Sequence, residues 1–201
     1  MAPAQRRHLP RILKDAAGAV RKQLGGQVAG ELDVFRGDSW QLVLESPASS
    51  LRAALIMRAH LRACNGAGGL DTRVAIGIGG IAFAPRREVS QGDGPAFRAS
   101  GLLLEALPRD CRLGLALAER AAPAELPVLL GLIDHVVSRW TAKQALAALG
   151  ALAGWPQAQI ARLWRPAVKQ PVVARHLGRG GWGPVAAGLA HYENILKKLY
   201  S

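Results

Sequence analysis

The sequence predicts an α+β fold in two parts, a mixed unit over residues 1–127 and an all-α helix-turn-helix unit over residues 128–201. Three observations carry that prediction. Helical and strand-like apolar patterns alternate through the first part. The run Thr141 to Trp182 holds three short helical segments, broken at Gly154–Pro156 and at Arg165–Pro166. Positive charge is concentrated around that run.

From Leu9 to Leu24 one face collects Leu9, Ile12, Leu13, Ala16, Ala17, Val20 and Leu24, the spacing of an amphipathic helix, and Gly25–Gly26 ends it. Glu31 to Arg36 and Trp40 to Leu44 flank Gly37-Asp38-Ser39, a hairpin signature. Pro47 opens a second helix, whose face uses Leu51, Ala54, Leu55, Arg58, Leu61 and Arg62 and which stops near Gly66. Thr72 to Ile78 reads as a short buried strand, with Gly77, Gly79 and Gly80 marking a bulge or a close approach. A third helix over Gly94 to Leu107 and a strand over Arg112 to Ala116 follow. This order suggests a sheet covered by helices on one face. Beyond Pro123 and Pro127, a helix to about Trp140 closes the first part or links the two. Gly183 to Tyr200 is a final helix, whose basic end suits its dipole.

Half of the 201 residues are apolar and a fifth are charged, which excludes disordered and fibrous classes. The formal net charge is +12 and the isoelectric point is near 11.0, a balance that calls for a polyanion or an acidic surface. Residues 1–127 hold 17 Lys and Arg against 12 Asp and Glu, whereas residues 128–201 hold 9 against 2, the two acids being Asp134 and Glu193. Cys64 and Cys111 stand alone, as expected of a reduced, cytoplasmic compartment. The basic start lacks the apolar core of a signal peptide, and no stretch approaches the ~18 apolar residues of a membrane span, so a cytoplasmic protein is expected.

In the helix-turn-helix reading, Gln157 to Trp164 is the first helix and Ala167 to Leu177 the recognition helix, which enters a DNA major groove. Lys169 and Gln170, near its N-terminal end, are candidates for base edges, Gln for adenine and Lys for guanine. Arg165, Arg175, His176 and Arg179 more naturally meet phosphates. Pro171 inside that helix is awkward but tolerable in a first turn, which leaves open a start as late as Lys169 or Gln170. Trp140, Trp155, Trp164 and Trp182 are either the core of this small unit or a stacking platform for single strands.

Asp38 is a candidate metal or nucleotide contact, although Gly-Asp is also a pair that tight turns prefer. Ser90, Gly92, Asp93 and Gly94 precede a helix and could cradle an anion. Asp93 equally stands where an N-cap belongs, with Pro95 in the first turn. The histidines are dispersed, no HExxH or GxSxG is present, and Gly77-x-Gly79-Gly80 lacks the third glycine of a dinucleotide fingerprint.

Three stretches, residues 34–63, 72–83 and 89–107, together with the trailing helix-turn-helix, resemble the SatD-like proteins. Gly37-Asp38-Ser39-Trp40-Gln41 and Ser90 to Phe97 are the most specific of these motifs. That family's N-terminal domain is similar to the palm domain of class III nucleotide cyclases and GGDEF enzymes. The resemblance implies a ferredoxin-like palm, truncated here. Palm enzymes hold two Mg²⁺ ions with carboxylates on the first strand and at the hairpin. Members of the family usually begin with a strand ending in aspartate, whereas Met1 to His8 holds no acid and no apolar run. The expectation is therefore a catalytically idle palm used for dimerisation or ligand sensing, and a homodimeric transcriptional regulator or DNA-targeting accessory factor acting on double-stranded DNA. No cofactor is expected, and a nucleotide effector is a possible ligand. Two other classes remain open: a nucleotide-binding cyclase-like enzyme, and a structural subunit of a larger complex.

Overall fold

A computed structural model describes residues 3–35, 38–64 and 70–200. Arg36 and Gly37 of the predicted hairpin, and Gly66, lie outside the described residues. Helix α1 (Pro3–Leu24) leads through a 3-10 turn into the antiparallel pair β1 (Val28–Phe35) and β2 (Ser39–Leu44). Helix α2 (Ser50–Ala63) then crosses to β3 (Val74–Ile78), and α3 (Pro95–Ala106) joins β3 to its parallel partner β4 (Leu113–Leu117). The remainder is helical: α4 (Glu125–Val137), α5 (Ala142–Leu152), the short α6 (Gln157–Ile160), α7 (Gln170–Arg179) and α8 (Trp182–Leu199). The α+β class predicted from the sequence is what the chain adopts, with two two-stranded sheets among the described residues.

The alternation along β3 sorts the layers. Val74, Ile76 and Ile78 join the main core with residues of α1, α2, α4, α5 and α8. Ala75 and Gly77 point the other way, under α3. A Cβ on Gly77 would lie 2.2 Å from the Ala96 carbonyl oxygen, and one on Gly114 would lie 3.0 Å from Leu107 Cδ1. Helices therefore cover both faces of the β3–β4 pair, not one face as the element order suggested. Small residues on both strands are what let α3 press so close.

The main core runs continuously across the expected boundary at residue 127. Leu126, Leu130, Ile133 and Val137 of α4 and Leu189, Tyr192 and Leu196 of α8 pack in it with Leu55 and Met57 of α2. A second, smaller cluster of Ala147, Ile160, Ala161, Val173 and Leu177 holds α5, α6 and α7 together. Trp182 packs against both clusters, and Trp155 and Trp164 against the smaller one. These half-buried tryptophans pack onto the cores of the helical part, in the manner of the packing alternative.

Candidate functional site

Helix α7 is amphipathic in the strict sense: Val173 and Leu177, four apart, are buried, while Pro171, Ala174, Arg175, Gly178 and Arg179 are exposed. Arg175 and Arg179 share the outward stripe one turn apart. Ala174 and Gly178, each exposed and directly ahead of one of these arginines, are short residues that let a ligand surface approach the backbone. The predicted start at Ala167 is too early. Residues 164–169 form an irregular connection after the 3-10 turn Ala161–Leu163, and Lys169 is the N-cap. Pro171 occupies the first turn, the one place where its missing N–H costs nothing.

The six candidate contact residues are not equivalent in space. Arg165 lies exposed in the connection ahead of α7. Lys169 and Gln170 are also exposed, but the Gln170 amide donates to Gln157 Oε1 at 3.1 Å, bracing α7 against α6. His176 stacks on Trp164 with ring centroids 5.8 Å apart and planes 20° off parallel. Partial burial holds the His176 pKa below its ordinary value, and the positive charges of Lys143, Arg175 and Arg179 lower it further. Lys143, in the first turn of α5, thus belongs to the same basic patch. Its proximity to α7 was not legible in the sequence.

All nine Lys and Arg of residues 128–201 are exposed. Leaving Lys198 aside, none of them forms an ion pair with another described residue. Both acids of the same segment are turned inward. Asp134 Oδ1 accepts from Arg58 Nη1 at 2.7 Å, and Glu193 Oε1 accepts from Arg52 Nε at 2.8 Å, both arginines belonging to α2. The fold therefore removes the two carboxylates that would soften this surface and leaves its cations facing water.

The polar network around Arg58 was not anticipated. The Arg58 side chain is fully buried and forks onto Asp71 Oδ1 and Oδ2 at 2.9 Å each, while Arg62 Nη1 meets Asp71 Oδ2 at 2.9 Å. Burial works to raise the Asp71 pKa. The hydrogen bonds and charge of Arg58, the Thr72 amide and the Arg62 charge outweigh it, so the carboxyl ends below its usual range. Arg62 also donates to the Trp140 carbonyl at 3.0 and 2.7 Å, and the Trp140 indole donates to the Gly180 carbonyl at 2.6 Å. A chain of bonds thus runs from the head of β3 to the C-terminal end of α7.

The second candidate group is not assembled. Asp38 is exposed at the head of β2 and lines an open cleft that Ser90, Gly92, Asp93 and Gly94 do not reach. The Ser90 amide and hydroxyl are both engaged by Asp33 Oδ2, the former at 3.0 Å. Asp93 is not the N-cap of α3. Gly94 is, with φ of 145° and no side-chain cap, while the Asp93 carboxylate pairs with Arg98 and its main chain bridges to Phe83. A side chain at residue 94 would strike the Gly80 oxygen at 2.7 Å, so the extra conformational freedom of glycine is required there and displaces the cap by one residue. Gly92 lies against the Phe97 ring. Among the described residues, no group of three or more His, Cys, Asp or Glu is placed to hold a metal ion.

No family model, curated protein or solved structure matches this chain. No helix among the described residues is long and apolar enough to cross a membrane.

Proposed function

We propose that the protein binds double-stranded DNA through the exposed face of α7, as a transcriptional regulator or DNA-targeting accessory factor. In this reading α6 with its 3-10 extension and α7 are the two helices of a helix-turn-helix, steadied by α5. The single observation that carries the proposal is the charge segregation: nine exposed cations in residues 128–201, with both acids of that segment drawn into ion pairs with α2. Exposed cations aligned on one helix supply phosphate affinity through counterion release. Arg175 and Arg179 form the centre of the contact, Lys143, Arg165 and Lys169 extend it along the backbone, and Ala174 and Gly178 allow α7 to seat deeply. Gln170, braced on Gln157, keeps its carbonyl oxygen and one amide hydrogen for a base edge.

The mixed part of the chain serves as the dimerisation or ligand-sensing unit, in a cytoplasmic homodimer that reads two half-sites. In this reading its palm-like character, suggested by the SatD-like resemblance, serves dimerisation or sensing rather than phosphoryl chemistry.

The test is a titration of random duplex and single-stranded DNA across a salt series. Binding of the duplex should weaken steeply with salt. Arg175→Ala with Arg179→Ala should reduce the slope of log K against log salt by about 2 and weaken binding at least tenfold at low salt. An unchanged slope, or binding confined to single strands, overturns the groove reading.

A further inference from the structure

Helix α4 is apolar almost all the way round. Leu126, Leu130, Ile133 and Val137 form its buried face in the main core. On the opposite side Glu125, Val128, Leu132, His135 and Arg139 are all exposed, Arg139 standing in the turn that closes the helix. Spaced three, four, three and four residues apart, they line up in one narrow stripe, the seam geometry of paired helices. Val128 and Leu132 are 63% and 64% exposed, and space is open around the position a Cβ on Gly131 would take. A helix with apolar residues on both faces is ordinarily covered on both. Within one chain this second face is left to water.

The ends of the stripe carry opposite charges. Glu125 opens α4 and Arg139 closes it, and neither forms an ion pair with another described residue. Arg139 Nη1 donates to the His135 carbonyl at 2.9 Å, which lays the guanidinium along the stripe. Residue 132 is midway between 125 and 139. Turning a second α4 about a twofold axis through Leu132 therefore sets each glutamate against the other helix's arginine. The stripe is complementary to itself and has no net charge with His135 neutral, whereas the whole chain carries +12. Two copies repel one another over most of their surface and meet with least repulsion along this neutral, apolar line.

We propose that α4 is the contact helix of a homodimer, in which two copies pair antiparallel along Glu125, Val128, Leu132, His135 and Arg139. Leu132 meets its counterpart on the axis, Val128 of one protomer lies beside His135 of the other, and the charged ends close the pair. Gly131, flanking Leu132, lets the second backbone approach. The 13 residues of α4 make a rod about 20 Å long and about 10 Å wide. The pair therefore covers less than the about 800 Å² per partner of a standard interface and forms reversibly. It also relates the two copies of α7. Val136 Cγ1 would stand 3.1 Å from a Cβ on Gly181, and the Trp140 indole, just past α4, is bonded to the Gly180 carbonyl. The closing end of α4 thus abuts the end of α7, so the axis that pairs α4 also sets the two basic faces in symmetry.

This inference rests on the homodimer reading and names its surface; it does not depend on what α7 binds. The weight-average mass, followed by sedimentation from about 1 to 300 μM protein, should rise from 21.3 kDa toward twice that value. Val128→Glu with Leu132→Glu, both on the exposed face, should weaken association at least tenfold. Glu125→Arg alone, or Arg139→Glu alone, should weaken it about tenfold, because symmetry turns two attractive contacts into two repulsive ones. Combining those two reversals should restore the parent value. Association that Val128→Glu with Leu132→Glu leaves unchanged overturns the placement on α4, and the homodimer reading stands without it. Single reversals that their combination fails to rescue overturn the antiparallel pairing. A mass that stays at 21.3 kDa throughout overturns the homodimer and this proposal together, while the duplex titration is judged on its own.

Discussion

Helices α2 and α7 carry arginine pairs at the same spacing, Arg58 with Arg62 and Arg175 with Arg179, and the fold treats them in opposite ways. Arg58 is fully enclosed by Asp71, Asp134 and Ser138, and Arg62 is largely enclosed by Asp71 and the Trp140 carbonyl. Arg175 and Arg179 lie open to water without a carboxylate. Helical position alone does not separate an enclosed cation from a solvent-facing one. What separates them is whether the tertiary fold delivers acids to them. In this protein the acids of the C-terminal segment are delivered to α2, so that the surface around α7 is left with cations.

Removing the enclosed member should have the largest effect. Arg58→Met leaves Asp71 and Asp134 buried without their main partner and should cost about 3–5 kcal/mol in urea unfolding. The same network sets an acid limit. The Asp71 pKa is depressed on folding, so its stabilisation is complete above the ordinary carboxylate pKa of about 3.9 and is lost as pH falls through the lower folded value. Arg58→Met should flatten that acid limb. A variant as stable as the parent would show that the enclosed arginine is not structural.

The open set should respond to pH in the other sense. His176 is held below its ordinary pKa by burial and by the cations Lys143, Arg175 and Arg179. Phosphates placed against that patch neutralise those cations and raise the His176 pKa, so binding takes up a proton. Duplex affinity should therefore climb as pH falls from 8 to 6, by no more than about tenfold per pH unit. His176→Gln should remove this climb while leaving the salt slope nearly unchanged. An equal pH response in the variant would exclude His176 from the contact.

A smaller effect is expected where α5 begins. The Thr141 hydroxyl accepts from the Gln144 amide at 3.3 Å, and Gln144 Oε1 accepts from the Thr141 amide at 2.8 Å, a reciprocal cap. Thr141→Ala should lower stability by about 1 kcal/mol in the same urea assay. Because Thr141 follows the Trp140 anchor, a larger loss would mean that the cap also positions α7.

The two regions also differ in how far they were legible in the sequence. Because these signals are local, periodicity located α4, α5, α7 and α8 within a few residues, although it started α7 at Ala167, where Pro171 already left room for the later start. The exposed stripe of α7 follows from the same 3.6-residue spacing that buries Val173 and Leu177. The Arg58 network did not show itself, since Asp71 and Asp134 are distant in sequence and only folding brings them to one guanidinium. Arg58 stood on the apolar face of α2 and so carried a signal, a cation at a core position, which points to a buried partner. The surroundings of the candidate anion loop were hidden for a similar reason. Ser90 answers to Asp33, and residue 94 to the Gly80 backbone, both tertiary contacts.

The inward turn of Asp134 and Glu193 has a consequence for motion in solution. With those two negative charges neutralised at the α2 boundary, the C-terminal flank projects a field of one sign, felt over roughly 8–10 Å at ordinary ionic strength. In the DNA-binding reading, an approaching polyanion exerts a torque before contact that turns this flank forward. Orientation during diffusion, and with it the rate of capture, depends in that reading on two ion pairs that would not touch the DNA.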